Sequence, residues 1–292
     1  RGVSLKGATA LNMIDMIGVG PFITIPLIVA AMGGPQAMIG WIIGAIICLC
    51  DGLVWAELGA AMPHAGGSYN YLKEIYGSNG FGKLASFLFI FQLTFSAPLS
   101  MASGCVGLAM YASYIFPGLS TTYFNYDLNL PLPILGSLEA AITLNNGTFV
   151  AIGVVLLAVF MLYRKVAFIS KFSQFLWGGV IITVVWIIVS GITNFDPGLA
   201  FNFPPNAFHI DSAFFLGLGS AMLIALYDYW GYYNVNFFGG EVQNPTRNIP
   251  RAIIYSILAV AGLYIVMNIS ILGVLPWQEV SETAGSDARK YI

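Results

Sequence analysis

The sequence predicts an all-α integral membrane bundle. Three observations carry that expectation: 58% of the 292 residues are hydrophobic, only 8% are Asp, Glu, Lys or Arg, and the apolar residues gather in long runs. Soluble domains carry about 25% charged residues, so a chain this poor in charge cannot dress its surface for water. The runs are long enough to cross a hydrocarbon layer roughly 30 Å thick. In lipid a spanning segment must satisfy its own backbone polar groups, which helices do; barrel strands would alternate apolar and polar over about ten residues, and no such alternation is visible. A net charge of -2 without blocks of like charge gives no reason to expect a nucleic-acid partner.

Taken in order, the runs cover residues 8–32, 36–62, 84–116, 148–163, 173–192, 213–238 and 252–275, which makes seven candidate spans. The first is too long for a signal-peptide core and lacks a small-residue cleavage pattern, so it is expected to stay in the mature protein. Within it, Gly18-Val19-Gly20-Pro21 places two glycines and a proline in mid-membrane. A proline costs about 3 kcal/mol in a helix interior, so the helix is expected to unwind there and restart at Pro21, whose fixed φ suits a first helical position. In the second run, Gly40 and Gly44 have the spacing of a close helix–helix contact. The fourth run is short for a span and is expected to begin earlier, near Ala140. The sixth carries Tyr227-Asp228-Tyr229-Trp230-Gly231, a second candidate interruption, for which close packing is the plainer alternative.

Lys and Arg set the orientation. With a cytoplasmic N-terminus, Arg1, Lys6, Lys73, Lys83, Arg164, Lys165, Lys171, Arg247 and Arg251 lie inside, and Arg289 and Lys290 outside. The connections Pro117–Gly147 and Asn194–Ile210, free of Lys and Arg, then face the exterior. Asn146-Gly147-Thr148 in the first of these is a formal glycosylation sequon, a triplet that arises often by chance. Cys48, Cys50 and Cys105 all sit in apolar runs with no His nearby, so they read as small buried hydrophobes. No metal or other cofactor is expected.

Unwound backbone at membrane depth is tolerated only inside protein or beside a wet cavity, so two interruptions point to a central site. Amides of Val19, Gly20 and Phe22, at the positive start of the outer half-helix, suit a carboxylate. Carbonyls near Met16, Ile17 and Ala225 to Tyr227 suit an ammonium group. Those are the two ends of an amino acid, and glycine at Gly18 and Gly20 lets a ligand approach the backbone closely.

Gly18-Val19-Gly20, then Ala56-Glu57-Leu58 running into Pro63-His64-Ala65-Gly66-Gly67-Ser68-Tyr69-Asn70-Tyr71-Leu72, then Asn244-Pro245-Thr246-Arg247-Asn248-Ile249-Pro250-Arg251-Ala252 resemble the motifs of the amino acid-polyamine-organocation transporter family. The order and spacing match across nearly the whole chain. The resemblance implies a multi-pass permease of the cell membrane with a LeuT-type fold of two inverted five-helix repeats. On that reading residues 1–192 form the first repeat and residues 213–275 the first two helices of the second, so the chain is expected to be truncated. It also implies a substrate between broken helices one and six, with Gly18, Val19 and Gly20 at its carboxylate and Tyr229 as an aromatic gate. Ile17, Tyr227, Asp228 and Gly231 complete the candidate substrate site. The implied partners are an amino acid or related amine, membrane lipid, and a coupling proton or exchanged amino acid.

An acid near the bilayer centre costs about 2.5 to 3.5 kcal/mol, which makes each one a functional candidate. Asp15 and Asp51, with Glu241 and Arg247 nearer the cytoplasm, are the candidates for coupling or gating. For Glu57 and Glu241 the plainer reading is pairing with Lys73, Arg247 or Arg251. Amine or polyamine transport, a non-transporting receptor or scaffold, and an intramembrane aspartyl protease are the alternatives; the last needs a Gly-x-Gly-Asp that the chain lacks, since Pro21 follows Gly20.

Overall fold

The computed structural model describes residues 2–18, 20–77, 79–132, 136–163 and 166–286. Arg1, Arg164, Lys165, Arg289 and Lys290, used above for orientation, lie outside them, as does Val19. The chain forms two compact units, Arg1–Ser96 with Trp177–Ser281 and Ala97–Leu176 with Glu282–Ile292. In order, the elements are α1 (Leu5–Met16), α2 (Gly20–Met32), α3 (Met38–Ala61), α4 (Ser68–Tyr76), α5 (Phe81–Ile115), β1 (Thr122–Leu132), β2 (Gly136–Asn145) and α6 (Asn146–Leu162). They continue with α7 (Val166–Thr193), α8 (Pro197–Ala200), α9 (Ser212–Tyr229), α10 (Pro245–Leu272) and α11 (Trp277–Ser286).

Among the described residues five helices are long and apolar enough to span a membrane: Pro35–Ala61, Phe81–Ile115, Phe175–Thr193, Ser212–Tyr229 and Pro245–Leu272. The pair α1 and α2, bent by 54° at the expected interruption, makes a sixth if the two count as one span, and α6 is a shorter apolar helix. Two details differ from expectation. First, α6 starts at Asn146 rather than near Ala140, because Asn145 and Thr148 form a reciprocal capping box. Second, the connection before it holds an antiparallel hairpin, β1 with β2, in a segment whose Thr122 to Tyr126 stretch is rich in β-favouring residues. In the sixth run, at the candidate interruption, α9 stops at Tyr229, Trp230 is extended, and Gly231 takes φ 120°, a conformation glycine adopts at little cost. Cys50 is also exposed, unlike the buried Cys48.

In the larger unit α3 packs against α9 and α10, α1 against α10, and α2 against α9. The α3–α9 contact rests on small residues one turn apart. A Cβ on Gly40 would lie 2.8 Å from the Ala221 Cβ, and one on Gly44 would lie 3.2 Å from the Ala225 Cβ. The missing side chains therefore set how closely the helices approach. Deeper in, Trp41, Tyr229 and Tyr264 form an aromatic cluster with ring centroids 5.3 to 5.7 Å apart, and none of the three is more than 1% exposed.

Candidate substrate-binding site

A helix that stops inside a protein leaves backbone donors and acceptors without partners. At the first interruption α1 closes with the Ile17 amide donating to the Met13 carbonyl at 2.9 Å and the Gly18 amide to the Met16 carbonyl at 3.2 Å. The Tyr264 hydroxyl also donates to the Met16 carbonyl, at 2.8 Å, and lies 3.4 Å from the Asp228 carbonyl at the end of α9. Met16, expected to offer a free carbonyl to an ammonium group, thus already has two donors. At the second interruption Asn12, fully buried on α1, donates to the Tyr232 carbonyl at 2.5 Å and accepts from the Val235 amide at 2.9 Å. Its amide also reaches the Ser256 hydroxyl of α10 at 3.4 Å. Asn236 donates to the Trp55 carbonyl of α3 at 3.2 Å. The Asn12 side chain of α1 and the Trp55 carbonyl of α3 therefore hold the non-helical stretch after α9 in place.

Asp228 sits where the two interruptions meet. It is 4% exposed, and one carboxylate oxygen, Oδ2, accepts from the Thr24 hydroxyl of α2. The other, Oδ1, is buried and has no partner among the described residues. A Cβ on Gly20 would lie 2.6 Å from Oδ1, so the glycine makes room for the protein's own carboxylate at the start of α2. Gly18 is open instead: a Cβ there would meet no atom within 4 Å. Ile17 is buried.

The remaining predicted residues divide. Asp15, exposed near the end of α1, accepts from the Asn234 side-chain amide, and a Cβ on Gly231 would lie 2.6 Å from its Oδ2, so Asp15 and Gly231 are brought together. Asp51, exposed on α3, accepts from the Trp55 indole at 2.8 Å and the Tyr232 hydroxyl at 2.5 Å. Tyr229 is buried in the aromatic cluster, whereas Tyr227, on the same helix, is 55% exposed. Glu241 and Arg247 are exposed. The expected pairing of Glu57 and Glu241 with basic residues does not form: among the described residues the only ion pair is His209 with Asp211, at 3.4 Å. What holds the Glu241 segment is backbone, with Val3 donating to the Glu241 carbonyl at 3.1 Å and accepting from the Gln243 amide at 2.9 Å.

Sequence reasoning passed over Asn12, Thr24, Asn234 and Tyr264. Two of them carried a signal. Asn12 is an amide inside an apolar run, one turn before Met16, and Thr24 is one turn after Gly20, on the same helix face. Tyr264, deep in the last run, had nothing in its neighbourhood to mark it.

A helical bundle with several apolar helices long enough to cross a membrane, a bent helix pair and a second helix cut short beside it, the two ends tied by buried polar groups, has the make-up of a multi-pass membrane protein. The chain belongs to the amino acid permease family, which it matches over residues 3–288. It is 30% identical to the aspartate-proton symporter of Bacillus subtilis over 85% of this chain and 43% of that protein. It is 28% identical to the serine/threonine exchanger SteT of the same organism over 99% of this chain and 58% of that protein. To the mouse large neutral amino acids transporter small subunit 2 it is 27% identical, over 96% and 49%. The chain spans about half the length of these relatives. Family and relatives alike are permeases and transporters rather than enzymes.

Proposed function

We propose that this chain contributes the substrate site of a secondary active amino-acid transporter, held between the α1–α2 interruption and the end of α9. The observation that carries the reading is the junction itself: Thr24 of α2 bonds Asp228 of α9, 204 residues away, with the other carboxylate oxygen against Gly20 at the start of α2. Unwound backbone of this kind serves to present amides and carbonyls to a small polar ligand. The family's relatives carry aspartate, serine and threonine, or large neutral amino acids, which supports an amino acid as the cargo. In this proposal residues 1–192 and 213–275 belong to two inverted repeats of a LeuT-type fold, and the N-terminus is cytoplasmic. Ile17, Gly18, Val19, Gly20, Tyr229 and Gly231 line or support the site, and a proton or an exchanged amino acid drives the cycle. Asp15, Asp51, Glu241 and Arg247 are the groups through which that coupling would act.

The test is uptake of labelled amino acids into proteoliposomes by the full-length protein and its Gly20→Val variant. Val at position 20 drives its side chain into the Asp228 carboxylate and narrows the junction. Saturable uptake that disappears in the variant, with its melting transition retained, is the expected result. Full uptake by Gly20→Val moves the site elsewhere, and no uptake of any amino acid or amine by the parent overturns the transport reading.

A further inference from the structure

We propose that the corner between α4 and α5 binds the headgroups of anionic phospholipids, with Lys73 and Lys83 as the groups that meet the phosphate. The corner sits where a span begins. Lys83 is the last charged residue before the apolar run 84–116, and α5 is one of the helices long and apolar enough to cross a membrane, so its first turn lies at the level of lipid headgroups. The bundle holds α4 by one face only: Ser68 and Tyr71 are buried, with the Tyr71 ring 6.3 Å from that of Trp55 on α3. Tyr69, Lys73 and Tyr76, spaced by four and three residues, share a different and exposed face.

Two contacts close α4 back on α5 and bracket both lysines. The Ser86 hydroxyl donates to the Tyr69 carbonyl at 3.3 Å, and the rings of Tyr76 and Phe81 meet edge to face with centroids 5.2 Å apart. The chain turns between the helices at Gly77 and Gly80, with φ 86° and 64°. Lys73 lies between the two contacts on α4 and Lys83 between them on α5, so the two ammonium groups belong to one small corner. Both lysines are exposed, and neither is in an ion pair among the described residues. Glu74 is turned about 100° around the helix from Lys73, off the face that Lys73 shares with the two tyrosines. Tyr69, Tyr76 and Phe81, all exposed, flank the lysines in the arrangement that suits an interface, with rings among the headgroups and long cationic side chains reaching the phosphates. Charge then selects among lipids. A zwitterionic headgroup carries its own cation beside the phosphate, whereas an anionic one leaves its charge to the two lysines. In the orientation inferred from Lys and Arg, this corner meets the cytoplasmic leaflet, where anionic lipids attract basic segments.

The experiment compares retention of phosphatidylglycerol and of phosphatidylcholine with the same acyl chains by the detergent-solubilised full-length protein, counted by native mass spectrometry. It asks nothing of transport, so this site and the substrate site stand or fall separately. Each lysine near an anionic surface should enrich the charged lipid about fivefold, so the pair should favour phosphatidylglycerol roughly 20-fold, a preference that fades at high salt. Lys73→Gln with Lys83→Gln should bring the two lipids close to equality, and each single change should leave an intermediate preference. Lys6→Gln, at an exposed lysine on α1, should leave the parent's preference unchanged. If the double variant does not keep its melting transition, the single variants decide. Equal retention in the parent, or a preference that survives the lysine changes, overturns the proposal. Inorganic phosphate that abolishes the preference, where chloride of equal ionic strength does not, also overturns it, because the corner would then be a site for a free anion.

Discussion

At the scale of single residues, the interruptions are held by a few buried polar side chains, and their cost of removal is calculable in direction. Asn12 is the clearest. It satisfies the Tyr232 carbonyl and the Val235 amide at once, from a position with no solvent exposure. Replacing it by Leu, similar in volume, strands both groups, each at a cost of about 1–3 kcal/mol, so Asn12→Leu should destabilise the protein by about 2–4 kcal/mol. Tyr264→Phe removes one bond, to Met16, and leaves the ring packing intact, so its effect should be near 1 kcal/mol. Thermal melts of the two variants side by side test this ordering. An Asn12→Leu protein as stable as the parent would mean that the stretch after α9 is held by something other than this amide.

At the scale of elements, the α3–α9 contact depends on what two glycines lack. Gly40→Leu would push a side chain into Ala221, whereas Gly153→Leu on α6 meets no atom within 4 Å of its Cβ. The first should lower the melting temperature markedly and the second hardly at all; equal effects would show that the packing is not set at Gly40. The start of α9 gives a second prediction. Asp211 caps it, and the bond from the Phe214 amide, with a smaller contribution from His209, holds its carboxyl below the ordinary 3.8. A folded value below the unfolded one means the cap's contribution is present above 3.8 and is lost as the pH falls through the folded value. Asp211→Asn caps without titrating, so it should flatten the acid-side loss of stability seen in the parent, and an unchanged acid limb would exclude the cap as its source. Elements were the most legible feature of the sequence. Run length and the Gly18–Pro21 cluster announced the spans and the first bend, because lipid admits few alternatives to an apolar helix. The end of α9 at Tyr229 was half visible, through Gly231, while the β1–β2 hairpin was not, since its short β-favouring stretches lie in a connection with no long apolar run to mark them. The site was less legible still. Asp228 stood out as an acid in an apolar run, but only three-dimensional contact revealed that it occupies the α2 start, that Thr24 is its donor and that Tyr264 takes the Met16 carbonyl.

At the scale of the whole molecule, the direction in which the bundle crosses the bilayer is a prediction drawn from charge. Of the eleven Lys and Arg residues, Lys6, Lys73, Lys83, Lys171, Arg247 and Arg251, with Arg1, Arg164 and Lys165, share one side if the spans alternate, and only Arg289 and Lys290 fall on the other. Short loops rich in Lys and Arg stay in the cytoplasm during insertion. The stretches free of Lys and Arg that carry the β1–β2 hairpin and the α8 turn are then expected on the exterior side. In a background with Cys48, Cys50 and Cys105 replaced, single cysteines at Asn129 and Asn206 should react in intact cells with an impermeant thiol reagent. A cysteine at Thr246, exposed beside Arg247, should react only after the membrane is opened. Labelling of Thr246→Cys from outside, with Asn206→Cys silent until permeabilisation, would invert the molecule. The packing within the bundle would stay as it is, and only the side from which the proposed site is approached would change.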